Sequence, residues 1–188
     1  MGIDNFVSRG GIKLQAAIEN FKVDVSGRVC LDVGSSTGGF VDCLLQNSAS
    51  KVYSVDTAYG ELAWKLRQDP RVIVMERTNI LHLESLPEQV EIITIDAGWT
   101  KLELVLPVVK KFLKKGGIII ALLKPHYEAD RKELDHGIVR PEFLEIVKDR
   151  VIKNVEGLGF TINDWMESPI LGSKGKGNKE YLLKIIAT

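Results

Sequence analysis

The stretch Val29-Cys30-Leu31-Asp32-Val33-Gly34-Ser35-Ser36-Thr37-Gly38-Gly39-Phe40 halts an apolar run at a cluster of small residues and then takes up helical spacing. It reads as a strand, a tight turn and the start of a helix. Gly34, Gly38 and Gly39 permit positive φ and a close backbone approach to a ligand, and the unpaired N–H groups of the next helix point the same way. A nicotinamide dinucleotide loop wants its middle glycine at position 36, where this chain has Ser36, so a nucleoside without a pyrophosphate fits better. Asp56 ends the next apolar run, Val52-Tyr53-Ser54-Val55, where a carboxylate can accept both hydroxyls of a ribose. Glycine-rich turns also serve as plain packing devices, so the rest of the chain has to decide.

Strand-like and helix-like patterns alternate along the whole sequence. Ser8-Arg9-Gly10-Gly11, with Ser8 placed to cap, precedes Ile12, Leu14, Ala17, Ile18 and Phe21, the apolar stripe of a short helix with Lys13 beside it. Val41, Leu44 and Leu45 follow the glycine loop on a second helix, and a third is expected from about Glu61 to Gln68, closed by Pro70. Val72 to Met75 and Glu91 to Asp96 read as strands, the first followed by Thr78-Asn79. Leu102 to Lys115 has helical spacing, ends on lysines suited to a helix C-terminus and stops at Gly116-Gly117. Ile118 to Leu123 is a strand buried on both faces, with Lys124-Pro125 at its end.

Glu128 to Arg140 is polar, lacks periodicity and is expected as a mobile loop. Pro141 opens a long helix with Phe143, Leu144, Val147, Val151, Val155 and Leu158 on one face. Thr161 to Glu167 and Tyr181 to Ile186 are strands that can pair antiparallel. The prediction is an α/β chain, one domain over 1–188, with a mostly parallel sheet covered on both faces and its last strand antiparallel. Ligands in such sheets sit at the carboxyl ends of the strands, where the 34–39 loop, Asp56, Asn79, Asp96 and Lys124 all fall.

Composition narrows the partners. The formal net charge is zero, so any nucleic-acid contact must be a local patch. Cys30 and Cys43 lie in apolar runs without metal spacing and read as buried free thiols, so no metal is expected. No stretch is long and apolar enough to span a membrane and no signal pattern opens the chain, which predicts a cytoplasmic protein.

Taken together, Ser8-Arg9-Gly10-Gly11-Ile12-Lys13-Leu14, the 31–40 segment, Val55-Asp56, Thr78-Asn79, Lys124-Pro125-His126-Tyr127-Glu128, Ser168-Pro169-Ile170 and Gly177-Asn178-Lys179-Glu180 resemble the FtsJ-type ribose methyltransferases, most of all the TlyA group named hemolysins. The resemblance implies the class I methyltransferase, Rossmann-like three-layer fold with S-adenosylmethionine as cofactor. It implies that Gly34, Ser36, Gly38, Gly39, Phe40 and Asp96 hold the donor, with Asp56 on its ribose and Asn79 near its adenine. It also implies a catalytic tetrad acting on a ribose 2′-hydroxyl of structured, ribosomal RNA, here Lys13, Asp96, Lys124 and Glu180. TlyA-group members carry an S4 RNA-binding domain ahead of the Ser-Arg-Gly-Gly segment, which this sequence does not contain; a fragment, or a separate recognition domain or partner, is then expected. The group's Asp-Val-Ser-Phe-Ile-Ser-Leu is replaced by Asp96-Ala97-Gly98-Trp99-Thr100-Lys101-Leu102, and its glutamine and phenylalanine by His126 and Tyr127, for which packing is the expected role.

Lys124, at the end of a buried strand and near Lys13, is the expected general base, while Asp96 and Glu180 orient the lysines. Lys174, Lys176 and Lys179, in a glycine-rich loop beside Glu180, are candidates for phosphate contacts, with Arg9 flanking the same mouth. Two alternatives stay open: a small-molecule methyltransferase of the same fold, and a non-catalytic or hemolysin-type protein. Membrane lysis has little support, because the apolar helices read as core.

Overall fold

A computed structural model describes residues 5–172 and 177–187. Its elements run α1 (Gly10–Phe21), β1 (Val29–Val33), α2 (Gly39–Gln46), β2 (Lys51–Val55), α3 (Trp64–Arg67), β3 (Val72–Met75), β4 (Val90–Ile95), α4 (Leu102–Val109), β5 (Leu113–Leu123), α5 (Pro125–Glu128), β6 (Leu134–Asp135), β7 (Ile138–Val139), α6 (Pro141–Gly157), β8 (Phe160–Glu167) and β9 (Tyr181–Ala187). A seven-stranded sheet in the order β3-β2-β1-β4-β5-β9-β8 forms the middle layer. β1 to β5 pair in parallel, and β9 is antiparallel to both β5 and β8. The reversed last strand is therefore inserted inside the sheet, and β8 at the edge runs with the majority.

The apolar runs of the central strands have no polar alternation because both faces are covered. Successive side chains go to opposite sides, so each run divides between two cores. Leu31, Ile93, Ile95, Ile119 and Leu183 join α4 and α6 through Val105, Leu106, Val151 and Val155. Cys30, Ile92, Ile120 and Leu182 join α1 and α2 through Leu14, Phe21, Val41 and Leu44. Full burial of each such aliphatic side chain is worth about 1.5–3 kcal/mol, and Leu14, Leu31 and Leu183 are 0% exposed. The strand order reverses direction between β1 and β4, which opens a crevice at their carboxyl ends.

Several elements differ from the sequence reading. The third helix is a single turn, Trp64–Arg67, although Leu62 and Leu66 are buried as expected. The helix expected to Lys115 ends at Val109, passes through a short 3-10 turn and gives way to β5 at Leu113. Val90 pairs with Leu113 and Ile92 with Ile118, so Lys114 to Gly117 form a bulge, with Gly116 at φ 78°. Pairing of the buried Leu113 outweighs the lysine-rich helix-end signal.

The expected mobile loop is also structured. Asp130 and Glu133 form a capping box on a 3-10 turn, and β6 and β7 make a small hairpin. Its turn residues His136 and Gly137 both have positive φ, 47° and 83°, the signature of the two-residue hairpin turn that suits right-twisted strands. At α1, Ser8 contributes its backbone carbonyl to Gly11 N–H at 3.1 Å, and no side-chain cap forms.

Candidate active site

The loop after β1 is held by its neighbours in the sheet. Gly34 N–H and Ser35 N–H both donate to the Val55 carbonyl, at 2.9 and 3.3 Å, and Asp96 N–H donates to the Val33 carbonyl at 2.9 Å. Gly34 has φ 83°, and a Cβ there would stand 2.6 Å from the Asp96 carbonyl oxygen. A Cβ on Gly39 would meet Ser8 Oγ at 2.3 Å and Gly11 N at 2.8 Å, so this glycine lets the starts of α1 and α2 touch. The loop glycines thus answer to packing as well as to any ligand.

A cavity of 260 Å³ lies between the loop and the start of α1, lined by Gly34, Ser35, Ser36, Thr37, Gly39 and Phe40, by Ser8 to Gly10, and by Lys13 and Asp96. Five of the expected donor-binding residues, Gly34, Ser36, Gly39, Phe40 and Asp96, are thereby brought together. Gly38, Asp56 and Asn79 are not part of that lining. Gly38 faces Leu62 and Leu66, where a Cβ would lie 2.7 and 2.3 Å from their methyl groups. Asp56 accepts from Ser36 N–H at 2.7 Å and Ala58 N–H at 2.8 Å, tying the loop to the end of β2. Asn79 accepts from Leu81 N–H at 3.0 Å, capping the turn after β3.

A second, larger cavity of 520 Å³ opens beside the first, and Lys13, Asp96, Lys124 and Glu180 all line it. Lys13 and Asp96 border both cavities. The four side chains form two ion pairs. Lys13 Nζ donates to Glu180 Oε2 at 2.5 Å, with side chains 6% and 3% exposed. Lys124 pairs with Asp96, the two standing at the ends of adjacent strands β5 and β4. Each lysine therefore faces its own carboxylate, Lys13 with Glu180 and Lys124 with Asp96.

The remaining walls were not all anticipated. Leu134, His136 and Gly137 of the hairpin face the cavity with Asn178. Asn178 holds the hairpin by donating to the Gly137 carbonyl at 3.0 Å and accepting from Val139 N–H at 3.3 Å. Trp99, 86% exposed and at φ 64°, lies 4.9 Å from the Tyr127 ring, which in turn lies 4.2 Å from His126. Burial lowers His126 to about 4, helped by the Lys124 and Lys13 charges, so the imidazole is neutral. Glu128, which burial raises, accepts from Leu102 N–H at 2.9 Å and so fastens α5 to the start of α4. Lys179 pairs with Glu167 at 3.1 Å, while Lys174 and Lys176 lie outside the described residues. Arg9 donates to the Leu171 carbonyl at 3.1 Å, joining α1 to the segment before β9.

A glycine loop after β1, carboxylates after β2 and β4, and a reversed strand inside a parallel sheet define the class I methyltransferase fold. The chain belongs to the FtsJ-like methyltransferase family, whose model matches residues 6–185. It is 44% identical over 188 residues to the Bacillus subtilis protein YqxC, which carries the name of an rRNA methyltransferase, covering 96% of this chain and 65% of that one. It is 38% identical over 182 residues to the Mycobacterium tuberculosis 16S/23S rRNA (cytidine-2′-O)-methyltransferase TlyA, covering 95% of this chain and 67% of the relative. Among solved structures, a hemolysin-named protein of Streptococcus thermophilus superposes with a TM-score of 0.92 at 40% identity, over 97% of this chain and 67% of that one. The chain thus spans about two thirds of the length of these relatives.

The methyl donor of the family is S-adenosylmethionine, and the residues present fit it. The smaller cavity has a floor without side chains at Gly34 and Gly39, and Asp96 offers it a carboxylate. Beneath the loop, the sealed Asp32 keeps Oδ2 without a hydrogen-bond partner among the described residues. No helix among the described residues is long and apolar enough to cross a membrane.

Proposed function

We propose that this chain transfers the methyl group of S-adenosylmethionine to a ribose 2′-hydroxyl of ribosomal RNA. The observation that carries the reading is the shared border: Lys13 and Asp96 line both the loop cavity and the larger cavity that also holds Lys124 and Glu180. A donor in the first cavity and a hydroxyl in the second then meet at those two residues. The donor supplies an electrophilic methyl carbon. A sugar hydroxyl is a poor nucleophile until its proton is leaving, so a basic nitrogen within hydrogen-bond reach speeds the attack. Lys124 Nζ takes that proton, with Asp96 aiming the amine. The buried Lys13–Glu180 pair fixes the opposite wall and presents a cation to the oxygen as its charge develops.

The names of the relatives support rRNA as the substrate class. The mixed polar and aromatic lining, with Trp99 and Tyr127 in contact, suits a nucleotide. Lys174, Lys176, Lys179 and Arg9 are the phosphate contacts of this reading, and an rRNA substrate implies action in the cytoplasm. The test is incubation with donor labelled in the methyl group and separated small and large ribosomal subunits. Label in the rRNA of one subunit supports the reading, and label in neither while a small-molecule acceptor is methylated opposes it.

A further inference from the structure

The β6–β7 hairpin stands apart from the main sheet. Its strands are two residues each, Leu134 pairing with Val139 and Asp135 with Ile138. A ribbon that short does not hold its own shape in water, so its position depends on what grips it. The base is gripped by α6: Glu133, which leads into β6, takes two hydrogen bonds from the Arg150 guanidinium, at 2.9 and 2.7 Å. The turn end is gripped by one side chain from the far end of the sequence. Asn178 Nδ2 donates to the Gly137 carbonyl at 3.0 Å, and its Oδ1 accepts from Val139 N–H at 3.3 Å. A primary amide carries a donor and an acceptor side by side, which matches a carbonyl and an N–H along one edge of a strand.

Asn178 lies two residues before Glu180, and both are held in turn by the chain around them. Gly172 N–H donates to the Asn178 carbonyl at 3.1 Å, Ser168 N–H donates to the Glu180 carbonyl at 2.8 Å, and the Glu180 carboxylate meets Lys13 at 2.5 Å. One short segment thus holds half of the tetrad on one side and the hairpin on the other. Leu134, His136, Gly137 and Asn178 line the 520 Å³ cavity together with the tetrad. None of those four belongs to the lining of the loop cavity.

We infer that Asn178 is a positioning residue for the acceptor: by clamping the β6–β7 hairpin to the segment that carries Glu180, it sets the wall of the larger cavity against which the acceptor nucleotide is seated. The inference rests on the acceptor ribose occupying that cavity, as proposed above. Transfer needs the hydroxyl oxygen in line with the methyl carbon, and a misplacement of about 1 Å can cost on the order of 10²-fold. A large RNA is held mainly by contacts along its backbone. Loosening one wall therefore leaves its binding nearly intact and slows transfer within the complex.

Two variants loosen the clamp from its two sides. Asn178→Asp keeps the size and the acceptor of the side chain but removes the donor to Gly137. Gly137→Ala acts from the hairpin, where φ is 83° and an added Cβ meets nothing within 4 Å, so it strains the turn without displacing a neighbour. The readouts are steady-state transfer of label to ribosomal subunits and calorimetric binding of S-adenosylmethionine. Each variant should lower kcat about tenfold, leave KM for the subunit within about twofold and bind donor like wild type. The double variant should be no worse than either single one, because both release the same hairpin. Losses that multiply in the double variant overturn the inference, since the two residues would then act separately. Donor affinity that falls along with kcat also overturns it, because the damage would be general. Undiminished kcat in Asn178→Asp overturns the clamp alone, whereas a wild type that labels neither subunit would overturn the reading of the substrate.

Discussion

Lys13 and Glu180 stand 167 residues apart in sequence and meet at 2.5 Å, Lys13 on the first helix and Glu180 just before the last strand. Both side chains are all but sealed from solvent. The contact joins α1 to the segment before β9 along the lining of the larger cavity, and a Cβ on Gly172 would come within 2.7 Å of Glu180 Oε1, so the carboxylate has little room to move. Removing one member of such a pair leaves the other charge buried and uncompensated, at about 3–5 kcal/mol, whereas replacing both by apolar groups of similar size is close to neutral. Lys13→Met and Glu180→Leu should each lower the urea midpoint strongly, and the double variant should recover most of the loss while staying inactive. Additive losses in the double variant would show that the two residues are not energetically coupled.

A second prediction concerns acid. His126 is neutral in the folded chain down to about pH 4, while an unfolded histidine takes up its proton near its ordinary value of 6.5. Between those values the unfolded state binds more protons, so stability falls as pH drops from about 6.5 towards 4 and is unaffected above that window. After allowance for partial exposure, the loss is on the order of 2 kcal/mol. His126→Gln should remove that slope, seen by comparing urea unfolding of the two proteins near neutrality and in mild acid. Parallel curves for wild type and variant would assign the acid sensitivity elsewhere.

Asp56 has a double duty that the donor prediction must respect. Its carboxylate already holds Ser36 N–H at 2.7 Å and Ala58 N–H at 2.8 Å, with lone pairs left for ribose hydroxyls. Asp56→Ala therefore loosens the loop and removes charged acceptors, each worth about 1.5–3 kcal/mol. Donor affinity should fall by tenfold or more in calorimetry. An unchanged affinity would mean that the ribose is not bound at the end of β2.

The strand carboxyl ends were readable because each apolar run stops at a polar residue, and the layers follow from runs too apolar to have a wet face. Asp96 and Lys124 were readable at strand ends, whereas Lys13 and Glu180 were readable only through the resemblance to a family, since Lys13 alone looks like an ordinary helix lysine. Its burial depends on Glu180, which no local pattern connects to it. The start of β5 was hidden because Lys114, Lys115, Gly116 and Gly117 mimic a helix end, and only the long-range pairing of Leu113 with Val90 makes them a bulge. The 128–140 segment held its own signals, a capping box at Asp130 and Glu133 and a His136-Gly137 turn, but its strands are two residues each and leave no periodicity to detect. Three of the expected donor residues, Gly38, Asp56 and Asn79, turned out to hold packing or loop hydrogen bonds for reasons that appear only in three dimensions.

Lys124 separates proton transfer from electrostatic anchoring. As a general base it should cost on the order of 10²–10⁴ in methyl transfer when replaced by alanine, with donor affinity near wild type. Lys124→Arg should preserve the ion pair with Asp96 yet fail to restore turnover, because arginine does not give up its proton. Near-normal turnover in the arginine variant would make the residue an anchor.

The central claim is that the methyl group goes to a ribose 2′-oxygen, and alkaline hydrolysis of labelled rRNA tests it most directly. A 2′-O-methyl group blocks cleavage of its own phosphodiester, so the account predicts label recovered in alkali-resistant dinucleotides with wild-type protein and none with Lys124→Ala. Label recovered in mononucleotides, which marks methylation on a base, would contradict it.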